Sequence, residues 1–291
     1  MAKCDVCDKE YDKLIDDEFW DQRVCEKHES DGTPRCYTCF KFLKETKYLD
    51  LTDGRKLCSD CSSIAIIDPK ECKPLIQYVH EFYRSLNLKT DEDIRVLLLD
   101  KNAMLKFKSP VDNMRGTVWY SFGGLRALVR IKKCSKIEGS IEVERKLEML
   151  RRPHKLTARR RSSGNIEALI VLFGMANVDM GATVAHEMMH AWLYTAGVTG
   201  LEERVEEGFC ELMSYMWMEW FCSSRVDSLY KTNEQVQYSR KLKDLLSSSM
   251  EYSEDEIYGQ GFRDARTAVS KFGLRTVLDH IVKKRCLPYE G

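Results

Sequence analysis

The chain has 291 residues, room for one substantial core and a smaller module, and its 46 basic side chains balance 46 acidic ones, so global charge points to neither nucleic acid nor membrane as a partner. No apolar run reaches the roughly 18 residues that a bilayer span needs. The start, Met1-Ala2-Lys3-Cys4, lacks the apolar stretch of a secretory signal, which predicts an intracellular protein, cytoplasmic and also nuclear.

Seven of the twelve cysteines fall before residue 62. In order, the ligand types read Cys4-x2-Cys7, 17 residues, Cys25-x2-His28, seven residues, Cys36-x2-Cys39, 18 residues, and Cys58-x2-Cys61. Thiols and an imidazole at this spacing are zinc ligands rather than a disulfide framework, and eight of them make two tetrahedral sites. So few aliphatic residues accompany them that each structural zinc is expected to supply on the order of 10 kcal/mol of folding free energy. The ligand order is formally that of a RING ubiquitin ligase, whose pairs are crossed, Cys4 and Cys7 sharing an ion with Cys36 and Cys39. A RING, however, leaves two or three residues after its His, where seven separate His28 from Cys36. The spacing suits two sequential zinc ribbons, LIM-like although His is the fourth ligand and not the third. Residues 1–67 are therefore predicted to form a module with two structural zinc ions.

Asp68-Pro69 then reads as an N-cap and first-turn proline. Leu75, Ile76, Val79, Phe82, Tyr83 and Leu86 recur at helical spacing to about Asn87, with His80 in a structural or exposed role. Strands are predicted at 94–99, 125–131 and 166–173, the last apolar enough to be buried on both faces and ended by Gly174. Either of the first two is a candidate rail for extended substrate. The basic stretch 151–164 reads as a solvated loop. Beyond Leu201 the pattern is helical, at 201–222, 232–248, 256–272 and 274–284. The expected class is α+β: a small LIM-like double zinc ribbon, then a domain at 68–291 with a small sheet and a mostly helical C-terminal half.

His186-Glu187-Met188-Met189-His190 carries the chemistry. Residues i and i+4 stack on one helix face, so both imidazoles reach one ion while Glu187 comes to the water side. The flanks Thr183, Val184, Ala185, Ala191 and Trp192 are uncharged, as a buried helix requires. Two histidines leave a catalytic zinc one protein ligand short. Val205-Glu206-Glu207-Gly208-Phe209 supplies it, 16 residues separating His190 from Glu207, with a turn through Gly197 and Gly200 between the two helices. The arrangement resembles the gluzincin group of zinc peptidases, which places the third ligand at Glu207 rather than Glu206. Glu211, one turn on, can orient a ligating imidazole; Cys210 reads as packing, and Cys72, Cys134, Cys222 and Cys286 read as small buried hydrophobes or inert surface thiols. In this scheme a zinc held by His186, His190 and Glu207 lowers the pKa of a water to about 7 and polarises the scissile carbonyl. Glu187 shuttles the proton, and Tyr258, with His280 as its rival, stabilises the oxyanion.

Taken together, Thr33-Pro34-Arg35-Cys36, Asp53-Gly54-Arg55-Lys56-Leu57-Cys58, Ala185 to Trp192, Val205-Glu206-Glu207-Gly208, Tyr258-Gly259 with Gly261-Phe262-Arg263, and Lys271-Phe272-Gly273-Leu274-Arg275 resemble one family over nearly the whole chain. That family is the plant DA and DA-related proteins, LIM-containing, ubiquitin-activated zinc metallopeptidases that limit organ growth. The resemblance implies protein substrates among regulators of growth, a partnership with ubiquitin or the ubiquitylation machinery, and three zinc ions, one catalytic and two structural. Many members carry ubiquitin-interacting motifs and a preceding LIM domain, neither of which stands before Cys4, so the expectation is either a short member or a trimmed piece of a longer one. Two alternatives follow from the same residues: an interaction scaffold of LIM type with an inactive peptidase domain, and the RING-like ligase.

Overall fold

The computed structural model describes residues 1–44, 47–104, 115–121, 165–226 and 232–288. The strand expected at 125–131 and the basic stretch 151–164 lie outside them.

Short antiparallel hairpins build the first 60 residues around the cysteine pairs. β1 (Ala2–Lys3) pairs with β2 (Glu10–Tyr11), β3 (Ile15–Asp17) with β4 (Gln22–Val24), and β5 (Tyr48–Asp50) with β6 (Lys56–Cys58). A 3-10 turn, Glu26–Glu29, carries His28, and α1 (Ser59–Ser63) carries Cys61. Strands of two or three residues bury too little to hold themselves, so the side chains at their ends must do it.

Helix α2 (Pro69–Ser85) starts where the sequence predicts, with a capping box: the Asp68 side chain accepts from the Lys70 N–H at 2.8 Å, and Glu71 accepts from the Asp68 N–H at 3.3 Å. His80 is buried on it, its Nδ1 2.7 Å from Thr90 Oγ1, a structural role. β7 (Arg95–Leu99) and the short α3 (Lys101–Met104) follow, then β8 (Gly116–Ser121) and β9 (Asn165–Leu172). The sheet order is β7-β9-β8, with β9 parallel to β7 and antiparallel to β8. Ala168 to Leu172 are fully buried, because a central strand covered on both faces needs no polar alternation.

Helices make up the rest: α4 (Asn177–Thr195), α5 (Glu203–Ser223), α6 (Asn233–Tyr252), a π turn (Glu256–Gln260), α7 (Gly261–Phe272) and α8 (Leu274–Lys284). α4 ends before Gly197, whose φ of 72° is the left-handed geometry glycine accepts at no steric cost. α4 and α5 lie close together. Trp217, fully buried, lies over Gly181, where a Cβ would sit 2.0 Å from its ring, and Ser214 Oγ donates to Ala182 O at 2.8 Å. The chain is thus a mixed helix and strand protein with small sheets, and among the described residues no helix is long and apolar enough to cross a membrane. One continuous buried core runs from Cys36 to Ile281, while Cys4, Val6, Val24, Cys25 and Phe42 form a small separate one.

Candidate metal centres

Eight ligand-type side chains of the first 61 residues gather into two groups in sequential order: Cys4, Cys7, Cys25 and His28, then Cys36, Cys39, Cys58 and Cys61. The crossed pairing that a RING needs is not formed. In the first group His28 Nδ1 lies 2.8 Å from Thr33 Oγ1 and 3.0 Å from Asp31 Oδ2, while its buried Nε2 has no hydrogen-bond partner. An orphaned ring nitrogen facing three thiols, with its other nitrogen held by a carboxylate, is what a metal ligand looks like. Burial pushes the Cys4 thiol up, but backbone N–H groups of Cys7, Cys25 and Val6 outweigh it and bring it down to about 6. Hydrogen bonding from Cys39 and Cys61 brings Cys36 to about 7. Both shifts favour the thiolate at these two residues, while burial and Cys4 push Cys7 up and the neighbouring thiols push Cys39 and Cys61 up.

A third group forms between α4 and α5. His186 Nε2 lies 3.2 Å from His190 Nε2 and 3.1 Å from Glu207 Oε2, and His190 Nε2 lies 3.3 Å from the same oxygen. A tetrahedral ion with ligands at about 2.0–2.1 Å holds them about 3.3 Å apart, so the triangle has the edge length zinc requires. Without a cation, two imidazole nitrogens would face each other at this distance, which suits no neutral arrangement beyond one shared proton. The donor set fits zinc.

The outward nitrogens face carboxylates, one of them at hydrogen-bond distance. His190 Nδ1 is 2.9 Å from Glu206 Oε1, and His186 Nδ1 is 3.6 Å from Glu211 Oε1. Glu211 thus stands where an orienting carboxylate was expected. Glu206, passed over as a ligand, takes the matching place at the other ring. Cys210 Sγ is fully buried and lies within 4.8 Å of a ring nitrogen of both histidines, closer to the site than a packing role requires. Its place three residues after Glu207 on one helix face was the available signal. Burial lowers the His186 pKa, but Glu207 and Glu211 outweigh it and leave it above 6.5. Burial likewise opposes, and Cys210, Glu206 and Glu207 overcome, the shift at His190. Burial raises Glu207, yet its hydrogen bonds to both rings hold it far below the usual carboxylate range.

Glu187 is buried against the first residue of β8: a Cβ on Gly116 would lie 2.7 Å from Glu187 Oε1. Arg115, next to it, donates to Asp179 Oδ1 on α4 at 2.6 Å, and Tyr83 of α2 donates to Ala185 O at 2.6 Å. Tyr258 lies in the π turn, half exposed; burial and the charges of Glu207 and Glu211 raise its hydroxyl to about 12, so it stays a donor. His280 instead has its Nε2 3.6 Å from Cys286 Sγ on α8 and the segment after it.

A family model described as DA1-like, Protein DA1, matches residues 85–284, more than half of the chain. This chain belongs to the DA1-like family. Among its relatives, Protein DA1 of Arabidopsis thaliana is 33% identical over 307 residues, covering 96% of this chain and 55% of that protein. LIM domain-containing protein HDR3 of Oryza sativa subsp. japonica is 33% identical over 319 residues, covering 96% of this chain and 60% of its own. Protein DA1-related 2 of Arabidopsis thaliana is 30% identical over 285 residues, with coverages of 90% and 52%. The chain therefore spans between half and two thirds of these DA1-like proteins. No solved structure matches it.

Proposed function

We propose that the chain is a zinc-dependent endopeptidase that cuts intracellular regulatory proteins, is activated by ubiquitylation and acts in growth control. The reading rests on one observation, the convergence of His186, His190 and Glu207 with 3.1–3.3 Å edges beside a buried Glu187. Zinc held there supplies a Lewis acid for the scissile carbonyl and for the attacking water. Glu187 takes the proton of that water and hands it to the leaving amine. Glu206 keeps His190 in the tautomer that presents Nε2, and the Glu211 carboxylate, 3.6 Å from His186 Nδ1, favours the same tautomer there. The Tyr258 O–H donates to the developing oxyanion. β8, which begins against Glu187 and lies at an edge of the sheet among the described residues, is the rail for extended substrate, in preference to β7 on the far side of β9. The absence of a side chain at Gly116 leaves room there for the base.

On this reading residues 1–67 are a LIM-like module with two structural zinc ions, and 68–291 a gluzincin-like peptidase domain working in the cytoplasm and nucleus. The intact set of four site residues favours it over an inactive scaffold, and the sequential cysteine groups favour it over a ligase. The test is to incubate ubiquitylated protein with candidate growth regulators. Wild type should cleave and Glu187→Ala, with its zinc retained, should be slower by about 10²–10⁴-fold. Equal turnover by the two removes Glu187 from the mechanism.

A further inference from the structure

Helix α4, which carries His186 and His190, begins without a capping side chain: Ala176 holds the N-cap position. The exposed N–H groups of a helix start need partners from elsewhere. Here the N–H of Asn177, the first helical residue, donates to Ile64 O at 2.9 Å, and the same segment continues with Ile66 N to Met175 O and Gly174 N to Ile66 O, both 2.8 Å. Ile64 follows α1 directly, and α1 carries Cys61. One arm thus runs from the second cysteine group through the chain to the start of α4.

A second arm reaches the same two points through α6. The Tyr238 hydroxyl lies 3.1 Å from Cys61 Sγ and 3.8 Å from Cys58 Sγ. With both sulfurs as thiolates only the phenol carries a proton, so it is the donor in a charge-assisted hydrogen bond. Its ring is packed by Trp20, 5.4 Å away, whose indole N–H donates to Cys39 O at 2.9 Å. The next residue, Ser239, is fully buried and donates to Asn177 Oδ1 at 3.2 Å. Consecutive side chains of one helix therefore touch the cysteine group and the first residue of α4.

We propose that the Cys36, Cys39, Cys58 and Cys61 centre is a joint of the catalytic unit, with Tyr238 and Ser239 as positioning residues that tie it to the first turn of the helix bearing His186 and His190. The inference rests on the metal-binding reading of both groups. Asn177 and His186 are about 13.5 Å apart along one rigid helix, so a loosened start displaces the imidazoles. Loss of metal from the cysteine centre then weakens the distant site without touching it.

The test uses the full chain as Tyr238→Phe and Ser239→Ala, with exposed Tyr252→Phe as control. Zinc transfer to a chromogenic chelator and amide hydrogen exchange are followed together. Tyr238→Phe should speed zinc loss from one cysteine centre by about 10–100-fold, raise exchange at 174–180, and hasten loss of the ion at His186 and His190. Ser239→Ala should raise exchange at 174–180 and hasten loss of that third ion, with the cysteine centres keeping theirs. Unchanged exchange at 174–180 in both variants overturns the joint, as does unchanged zinc release in Tyr238→Phe. If wild type holds no third ion, the peptidase reading fails while exchange at 174–180 still judges the coupling.

Discussion

Each imidazole of the third centre turns one nitrogen to the centre and the other toward a carboxylate, and the two carboxylates are not equivalent. Glu206 sits 2.9 Å from His190, within hydrogen-bond distance, while Glu211 stays at 3.6 Å from His186. Glu206→Gln should therefore lower zinc affinity at this centre by about 10–100-fold, measured by competition with a chelator of known affinity. Proton and metal compete for the same nitrogens, and both rings titrate above 6.5. Apparent zinc affinity should then still be rising with pH at about 7.5–8, a unit or more above the ordinary imidazole pKa, where unperturbed histidines would have levelled off; affinity already flat there would refute the shifts. The pairing of His186 with His190, and the place of Glu187 on the same helix, were legible because their geometry is local, fixed by helical spacing. Which of Glu206 and Glu207 faces the ring nitrogens, and how near Cys210 comes, depends on how α4 crosses α5, which no local pattern encodes.

The neighbouring contact of α5 with α7 depends on small residues. A Cβ on Gly208, the residue after Glu207, would lie 2.1 Å from the Gly261 carbonyl carbon, backbone that cannot swing aside. Gly208→Ala must push α7 and the π turn away from α5, and with them Tyr258. It should cost about 1–3 kcal/mol, read as a lower midpoint of thermal unfolding, and lower kcat more than KM if Tyr258 acts on the oxyanion. An unchanged midpoint would mean the helices part freely. At this scale the sequence was most informative where signals are local: the capping box at Asp68 and Glu71, the buried run of β9, and the glycine after α4 all lie where the pattern placed them. β8 was not foreseen, because its six residues gain their identity from pairing with β9, and a register shift between Trp119 and Tyr120 breaks the alternation that would have marked it. The 256–272 stretch, read as one helix, begins as a π turn instead, in which Gly259 backs onto Ser253 so closely that a Cβ would lie 2.3 Å from Ser253 O.

For the whole molecule, the two cysteine groups differ in where they sit. The first belongs to its own small cluster, and the second is continuous with the main core, where Arg55 donates to Phe173 O at 2.7 Å and Leu51 packs under Gly174. A boundary drawn by composition at residue 67 marks the change from cysteine-rich to apolar sequence, yet contacts cross it. Stripping metal with a strong chelator should therefore do more than stop cleavage. Protease susceptibility should rise first within residues 1–30 and then, as the second centre empties, around 174–180, followed by mass spectrometry of the fragments; loss confined to the first 30 residues would separate the second centre from the core. All of this depends on three donors from two helices holding one ion. Metal analysis of the wild-type chain beside His186→Ala/His190→Ala tests it most directly: three zinc ions per chain are expected in the first and two in the second, with both cysteine centres filled, and an equal count in the two proteins would contradict the account.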